Sequence, residues 1–198
     1  MDPTVAYDLA LFLHVVGVVG LFAVLTVEGV ALRGIRASLT GEQVRPWLVL
    51  LRPLRIVGPG ALLLILVPGL YLAATIETGG GWIAAGLIGF LAIGLLGGAI
   101  TGRRMAVVGP TLGLAQGSLD SQAIRASHDS ALAISYALRL ALALGVVWLM
   151  TLKPDFVPSL VVLGAVAVLG LVAARTRFAA LAEPEVAGRS VGPSGGAQ

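Results

Sequence analysis

Cysteine is absent from these 198 residues, so disulfides, iron–sulfur clusters and thiol chemistry are excluded and no redox compartment can be inferred. Charge is scarce as well. Asp, Glu, Lys and Arg make up 12% of the chain, about half the ~25% of a soluble domain. Apolar side chains take that place: hydrophobic residues reach 58% and mean hydropathy is +0.99. This is the composition of a membrane protein, and its length allows five spans of about 20 residues each. A pI near 10.0 would suggest nucleic acid in a soluble protein. Here membrane topology explains the basic residues, and no nucleic-acid partner is expected. The chain has no Gly-rich phosphate loop, HExxH, nucleophile elbow or paired inner carboxylates, so no enzyme chemistry is indicated.

Five segments are long enough to cross a bilayer, at about 6–33, 54–76, 82–106, 130–151 and 157–177. They predict an all-α bundle over residues 1–181. The N-terminus lacks a basic n-region and reads as a retained first span rather than a cleaved signal. Eleven of the thirteen basic residues fall on one side: Arg33, Arg36, Arg45, Arg52, Arg55, Arg103, Arg104, Arg125, Arg175, Arg177 and Arg189. The other side holds Asp2, Asp8, Glu77, Asp155 and Lys153. The positive-inside rule therefore places the N-terminus outside and the C-terminus in the cytoplasm, in an inner, cytoplasmic membrane. Tyr7, Tyr71, Trp82 and Trp148 near the outer span ends fit an aromatic belt.

The outer connections, at 78–81 and 152–156, are tight turns. Of the inner ones, 40–58 has a cap candidate in Thr40 and sets Trp47, Leu48 and Leu51 among arginines, which predicts an interfacial helix. The stretch 117–130 is either a polar loop or an extension of the fourth span with Ser118 as cap. There His128, Asp129 and Ser130 read as helix-start chemistry rather than a triad. The tail, 182–198, is rich in Pro, Gly and Ser and is expected to be disordered.

Small residues supply much of helix association in lipid. Span 3 carries Gly94, Gly98 and Gly102 at four-residue spacing, extended outward by Gly86, and span 4 carries Ala133, Ala137, Ala141 and Gly145 at the same spacing. The matching ridges predict a close pair, which Gly98→Leu should break. Pro59 and Pro68 can kink span 2. Gly164 and Ala165 on span 5 offer a surface for a homo-oligomer or for a place in a larger membrane complex.

The polar residues inside the spans are the candidate site. His14 and Glu28 lie about 40° apart around the first helix and about 21 Å apart along it, so they share a stripe without touching. His128, Ser135, Arg139, Val146 and Met150 make a second stripe on span 4. Arg139 and Glu28 have similar depths, and an ion pair between them is expected. It would be a structural lock or a working proton or solute site; otherwise Glu28 reaches interfacial water near Arg33. For His14 three readings stand: a structural hydrogen bond, proton transfer or solute binding, or a haem b or copper site with Met150. A bis-histidine haem within one chain is excluded by the depth of His128, although a dimer would pair two copies of His14.

The stretch LFLHVVGVVGLFAVLTVEG, with the Arg-rich loop and GLIGFLAIGLLGGAITGRR after it, resembles an uncharacterised family of bacterial predicted integral membrane proteins with a His in the first span. More remotely, that span is similar to the one in CopD-type copper-resistance membrane proteins. The resemblance implies a cytoplasmic-membrane helical bundle and carries over no catalytic residue. The leading function class is a non-enzymatic small transporter, permeation unit or accessory subunit, and the second is a haem- or metal-binding redox protein using His14.

Overall fold

The computed structural model describes residues 2–75 and 80–179. The expectation for the tail, 182–198, lies outside the described residues, as do residues 78 and 79 of the turn at 78–81. Among the described residues, five helical segments are long and apolar enough to cross a membrane: Thr4–Ala37, Gly41–Ala74, Gly81–Gly113, Ser121–Leu152 and Phe156–Thr176. The chain is an all-helical, multi-pass membrane bundle.

The first helix, α1 (Pro3–Ala37), starts where Asp2 accepts from the Thr4 backbone N–H at 3.1 Å, with Pro3 in the position that needs no donor. The Thr4 hydroxyl first, and its N–H second, hold the Asp2 carboxyl below the ordinary carboxylate range. At 35 residues α1 is about 52 Å long, against about 30 Å of hydrocarbon. The excess projects at the arginine-rich end, called the basic end below; the end carrying Asp2, Asp8 and Asp155 is the acidic end.

The 40–58 segment is divided between two helices. It forms α2 (Gly41–Leu51), a turn at Arg52 and Pro53, and then α3 (Leu54–Ala74). Thr40 caps α2 through the Gln43 N–H at 3.4 Å, and the Gln43 side chain accepts from the Leu39 N–H at 2.8 Å. The apolar face of α2 is turned to protein: Val44 is fully buried, and Trp47 fills the space beside Gly34 of α1. Val49 and Leu50 of α2 stay exposed on its other side.

The third span is a long rod in three parts: α4 (Gly81–Leu95), a π-helical stretch over Leu96–Gly102, and α5 (Arg103–Gly113). The short α6 (Ser121–Ser127) is capped by Asp120, which accepts from the Ala123 N–H at 2.7 Å. Ser118, the expected cap, instead forms a backbone bridge to Thr40, so this loop is fastened to the start of α2. Asp129 then caps α7 (Ser130–Leu152) at the Leu132 N–H, 3.0 Å, and pairs with Arg104 at 3.5 Å. The last helix is α8 (Phe156–Ala179).

The core has two tiers. Within the spans, Leu25, Ile65, Ala85, Ile93, Leu142, Leu149 and Leu163 pack together. At the basic end Leu32, Ile35, Val44, Val108, Leu112 and Leu132 form a second cluster under α2, α5 and α6.

The most intimate helix contact is between α1 and α3. A Cβ on Gly17 would lie 2.8 Å from the backbone of Leu64 and Ile65, and one on Gly20 would lie 3.5 Å from Ala61. The expected pairing of glycine and alanine ridges between the third and fourth spans is not what forms. Gly98 has nothing within 4 Å, Gly94 meets only Leu62 at 3.9 Å, and Gly102 meets only a carbonyl of its own turn. Ala137, Ala141 and Gly145 of α7 instead receive Gly170, Leu163 and Val166 of α8, while Ala133 is half-buried. The third and fourth spans do pack against each other, with Gly86, the outer member of the expected ridge, against Met150 and Gly89 against Val146. Gly94 already meets α3 before the π-helical stretch begins, and that stretch carries Gly98 and Gly102 on a face that does not meet α7.

The two kinds of glycine should separate on substitution. Gly17→Leu forces backbone against side chain and should lower unfolding stability by about 1–3 kcal/mol. Gly98→Leu, with open space before it, should leave the thermal unfolding of the detergent-solubilised protein close to wild type. Equal losses for the two would refute the assignment.

Candidate intramembrane polar site

Glu28 on α1 and Arg139 on α7 are each only 6% exposed, and the structure joins them in a salt bridge. Two unlike charges inside an apolar bundle stabilise each other only if their remaining valences are also met. Arg139 meets them with α4–α5 and its own helix. Its Nη2 donates to the Thr101 hydroxyl at 3.0 Å, and its Nε donates to the Ser135 carbonyl at 3.3 Å. The Thr101 and Ser135 hydroxyls share a hydrogen bond of 2.9 Å, and Ser135 donates to the Leu96 carbonyl at 3.0 Å.

The π-helical stretch builds this cluster. LGGAITG has three glycines in seven residues, a composition that favours α-helix poorly. One wide turn delivers the Thr101 hydroxyl to α7 and leaves the Leu96 carbonyl free to accept from a side chain. Gly97 lets the guanidinium lie close, 3.6 Å from where its Cβ would be. Tyr136 reaches from α7 into the space beside Gly29, next to Glu28, and so closes the α1–α7 seam on that side.

The other side is open. A cavity of about 1110 Å³ runs from Arg52 and Arg55 at the start of α3 to the ion pair and ends at Leu21. Glu28, Thr101 and Arg139 all line it, as do Gly94, Gly98 and Gly102. Among the described residues no fully buried side-chain nitrogen or oxygen lacks a partner. Oε2 of Glu28 and Nη1 of Arg139, which are outside the bonds above, therefore open onto the cavity. The ion pair thus presents one acceptor and one donor to whatever enters.

His14 is elsewhere. Its Nδ1 is 2.9 Å from the Ile65 carbonyl, and a carbonyl only accepts, so Nδ1 carries the proton and donates. The ring lies over Gly69, one residue beyond Pro68, where the proline ring disturbs the carbonyls of the preceding turn. His14 therefore serves the α1–α3 seam, and it does not line the cavity. Met150 faces Gly86 on α4. The two side chains sit on different helix seams, and among the described residues no group of three His, Cys, Asp or Glu side chains could hold a metal ion.

Thr101 and Leu96 were not singled out in the sequence. A lone hydroxyl between Gly98 and Gly102 is the one signal that could have found Thr101. No family model matches this chain, and no curated protein or solved structure does either.

Removing one partner of the pair should cost more than removing both. Arg139→Gln leaves the Glu28 charge buried and should destabilise by about 3–5 kcal/mol, while Glu28→Leu with Arg139→Met should recover much of that loss. Additive losses in a double-mutant cycle of thermal stability in detergent would contradict the pairing.

Proposed function

We propose that this is a non-enzymatic inner-membrane protein, a small transporter or permeation unit, resting with its binding cavity open at the basic end and closed at the acidic end. The observation that carries this reading is the path of the cavity, which runs from the basic end past the buried Glu28–Arg139 pair, lined by both charges, and ends at Leu21. Intramembrane charges that line a cavity are characteristic of solute and ion pathways. The closed half is the α1–α3 seam, where Gly17 meets Ile65 and His14 bonds its carbonyl. By the positive-inside rule the open end faces the cytoplasm, with the N-terminus on the opposite side. An accessory subunit would use the same pair as a lock and needs no cavity beside it.

The absence of cysteine makes the test clean, since every introduced thiol is the only one. In sealed vesicles Gly98→Cys should react with a membrane-impermeant thiol reagent applied at the basic end, and Ile65→Cys should react from neither side. Adding Glu28→Gln, which keeps the shape but weakens the ion pair that holds α1 to α7, should make Ile65→Cys reactive from the acidic end. A Gly98→Cys that stays unreactive, or an Ile65→Cys unaffected by Glu28→Gln, would remove the transport reading and leave a lock.

A further inference from the structure

The cavity has a lateral side as well as a cytoplasmic mouth. Its walls are α1 and α7 at the back, the end of α2 with Leu48 and Leu51 at the basic end, α3 on one flank and the α4–α5 rod on the other. The two flanks barely touch each other. On the α4–α5 flank Gly98 and Gly109 have nothing within 4 Å of where a Cβ would sit, and Gly94 has a single atom at 3.9 Å. A gap between two apolar spans gives onto hydrocarbon, so the most abundant molecule at this opening is lipid.

The charges in the cavity are not balanced. Glu28 neutralises Arg139. Arg52 and Arg55 lie exposed at the start of α3, and among the described residues neither side chain has a hydrogen-bond or ion-pair partner. At the first turn of a span they stand at headgroup depth. Below them the lining is apolar, through Leu62 and Ile93. Two free guanidinium groups above an apolar slot match one chemistry: a phosphate on top of an acyl chain. The volume, about 1110 Å³, is at or above the upper end of the ~300–1,000 Å³ of pockets that enclose drug-sized ligands.

We propose that the cavity takes an anionic glycerophospholipid from the cytoplasmic leaflet, its phosphate between Arg52 and Arg55 and a chain along the glycine flank of α4–α5. This rests on the reading above and names the ligand class for the same cavity. A neutral or zwitterionic lipid satisfies the apolar slot but leaves the two arginines with less to bind. Each basic residue held against anionic lipid is worth about a fivefold preference.

The test is native mass spectrometry of the delipidated protein in detergent, titrated with phosphatidylglycerol or phosphatidylcholine. Phosphatidylglycerol should bind on the order of tenfold better, the two arginine contributions being partly screened. The preference should fall close to parity in R52Q/R55Q and persist in R125Q, which removes a basic residue outside the cavity. In parallel, phosphatidylglycerol should slow thiol labelling of Gly98→Cys. Equal binding of the two lipids by the wild type, or an equal loss in R125Q and R52Q/R55Q, overturns the proposal. If Gly98→Cys is labelled from the basic end yet phosphatidylglycerol does not protect it, the open cavity stands and the lipid assignment fails. If it is not labelled at all, the cavity reading fails and this one with it.

Discussion

An ion pair in an apolar bundle can be neither separated nor left half-bonded, and the arrangement of the spans around Glu28 and Arg139 follows from that constraint. It fixes α1 beside α7 and sets their relative height, because the two side chains meet at one depth only. It also demands further donors and acceptors for the guanidinium, which α7 by itself cannot supply. Ser135, one turn away, gives a carbonyl, and the rest must come from a neighbour. That neighbour is the third span, where the wide turn over Leu96–Gly102 brings Thr101 across to α7. The weakness of LGGAITG as an α-helix is thus matched to the polar cluster it serves.

The same wide turn divides the molecule into a tight half and an open half. Toward the acidic end α1, α3, α4, α7 and α8 approach closely, with Gly17 against the α3 backbone and Gly89 and Gly145 receiving side chains of α7 and α8. Beyond the turn the glycine face of α4–α5 is rotated into open space, and the spans separate around the cavity. A second core at the basic end keeps the separated helices from splaying: α2 lays Trp47 on α1, and the 115–119 stretch is tied by backbone hydrogen bonds to residues 39–41. Tight packing at one end and a clamp at the other let the middle remain open.

The spans were legible because their length and apolarity are set by the bilayer rather than by neighbours. The Glu28–Arg139 pair was legible for a related reason: two lone charges at matching depth in apolar runs have few other ways to be stable. The small-residue stripes were not. Glycine at every fourth position marks a surface without side chains, and such a surface suits either a close neighbour or an empty space. Gly94, Gly98 and Gly102 line a cavity, while the true seam of α1 and α3 mixes Gly17 and Gly20 with His14, Ala61, Ile65 and Gly69. The π-helical turn was hidden because it depends on what Ser135 and Arg139 require from a distant segment, which local propensity does not encode. The placement of His14 had the same obstacle, since its partner is the Ile65 backbone and carries no side-chain signature.

The cavity and the ion pair also explain each other. In a fully dry interior the desolvation of two charges is of the same order as their attraction, and such a pair contributes little net stability. Here Oε2 of Glu28 and Nη1 of Arg139 face a space open to the polar end of the bundle, so part of their hydration is retained. The pair is therefore more favourable with the cavity than without it. Conversely, a space of that size between apolar helices would tend to close by helix association, because lipid contact and helix contact are nearly equivalent for apolar side chains. What opposes closure is the polar cluster: bringing α3 against α4 would bury those two atoms without partners. A ligand that offers a hydrogen bond to either atom adds to that opposition, and one that offers none competes with the solvent already there.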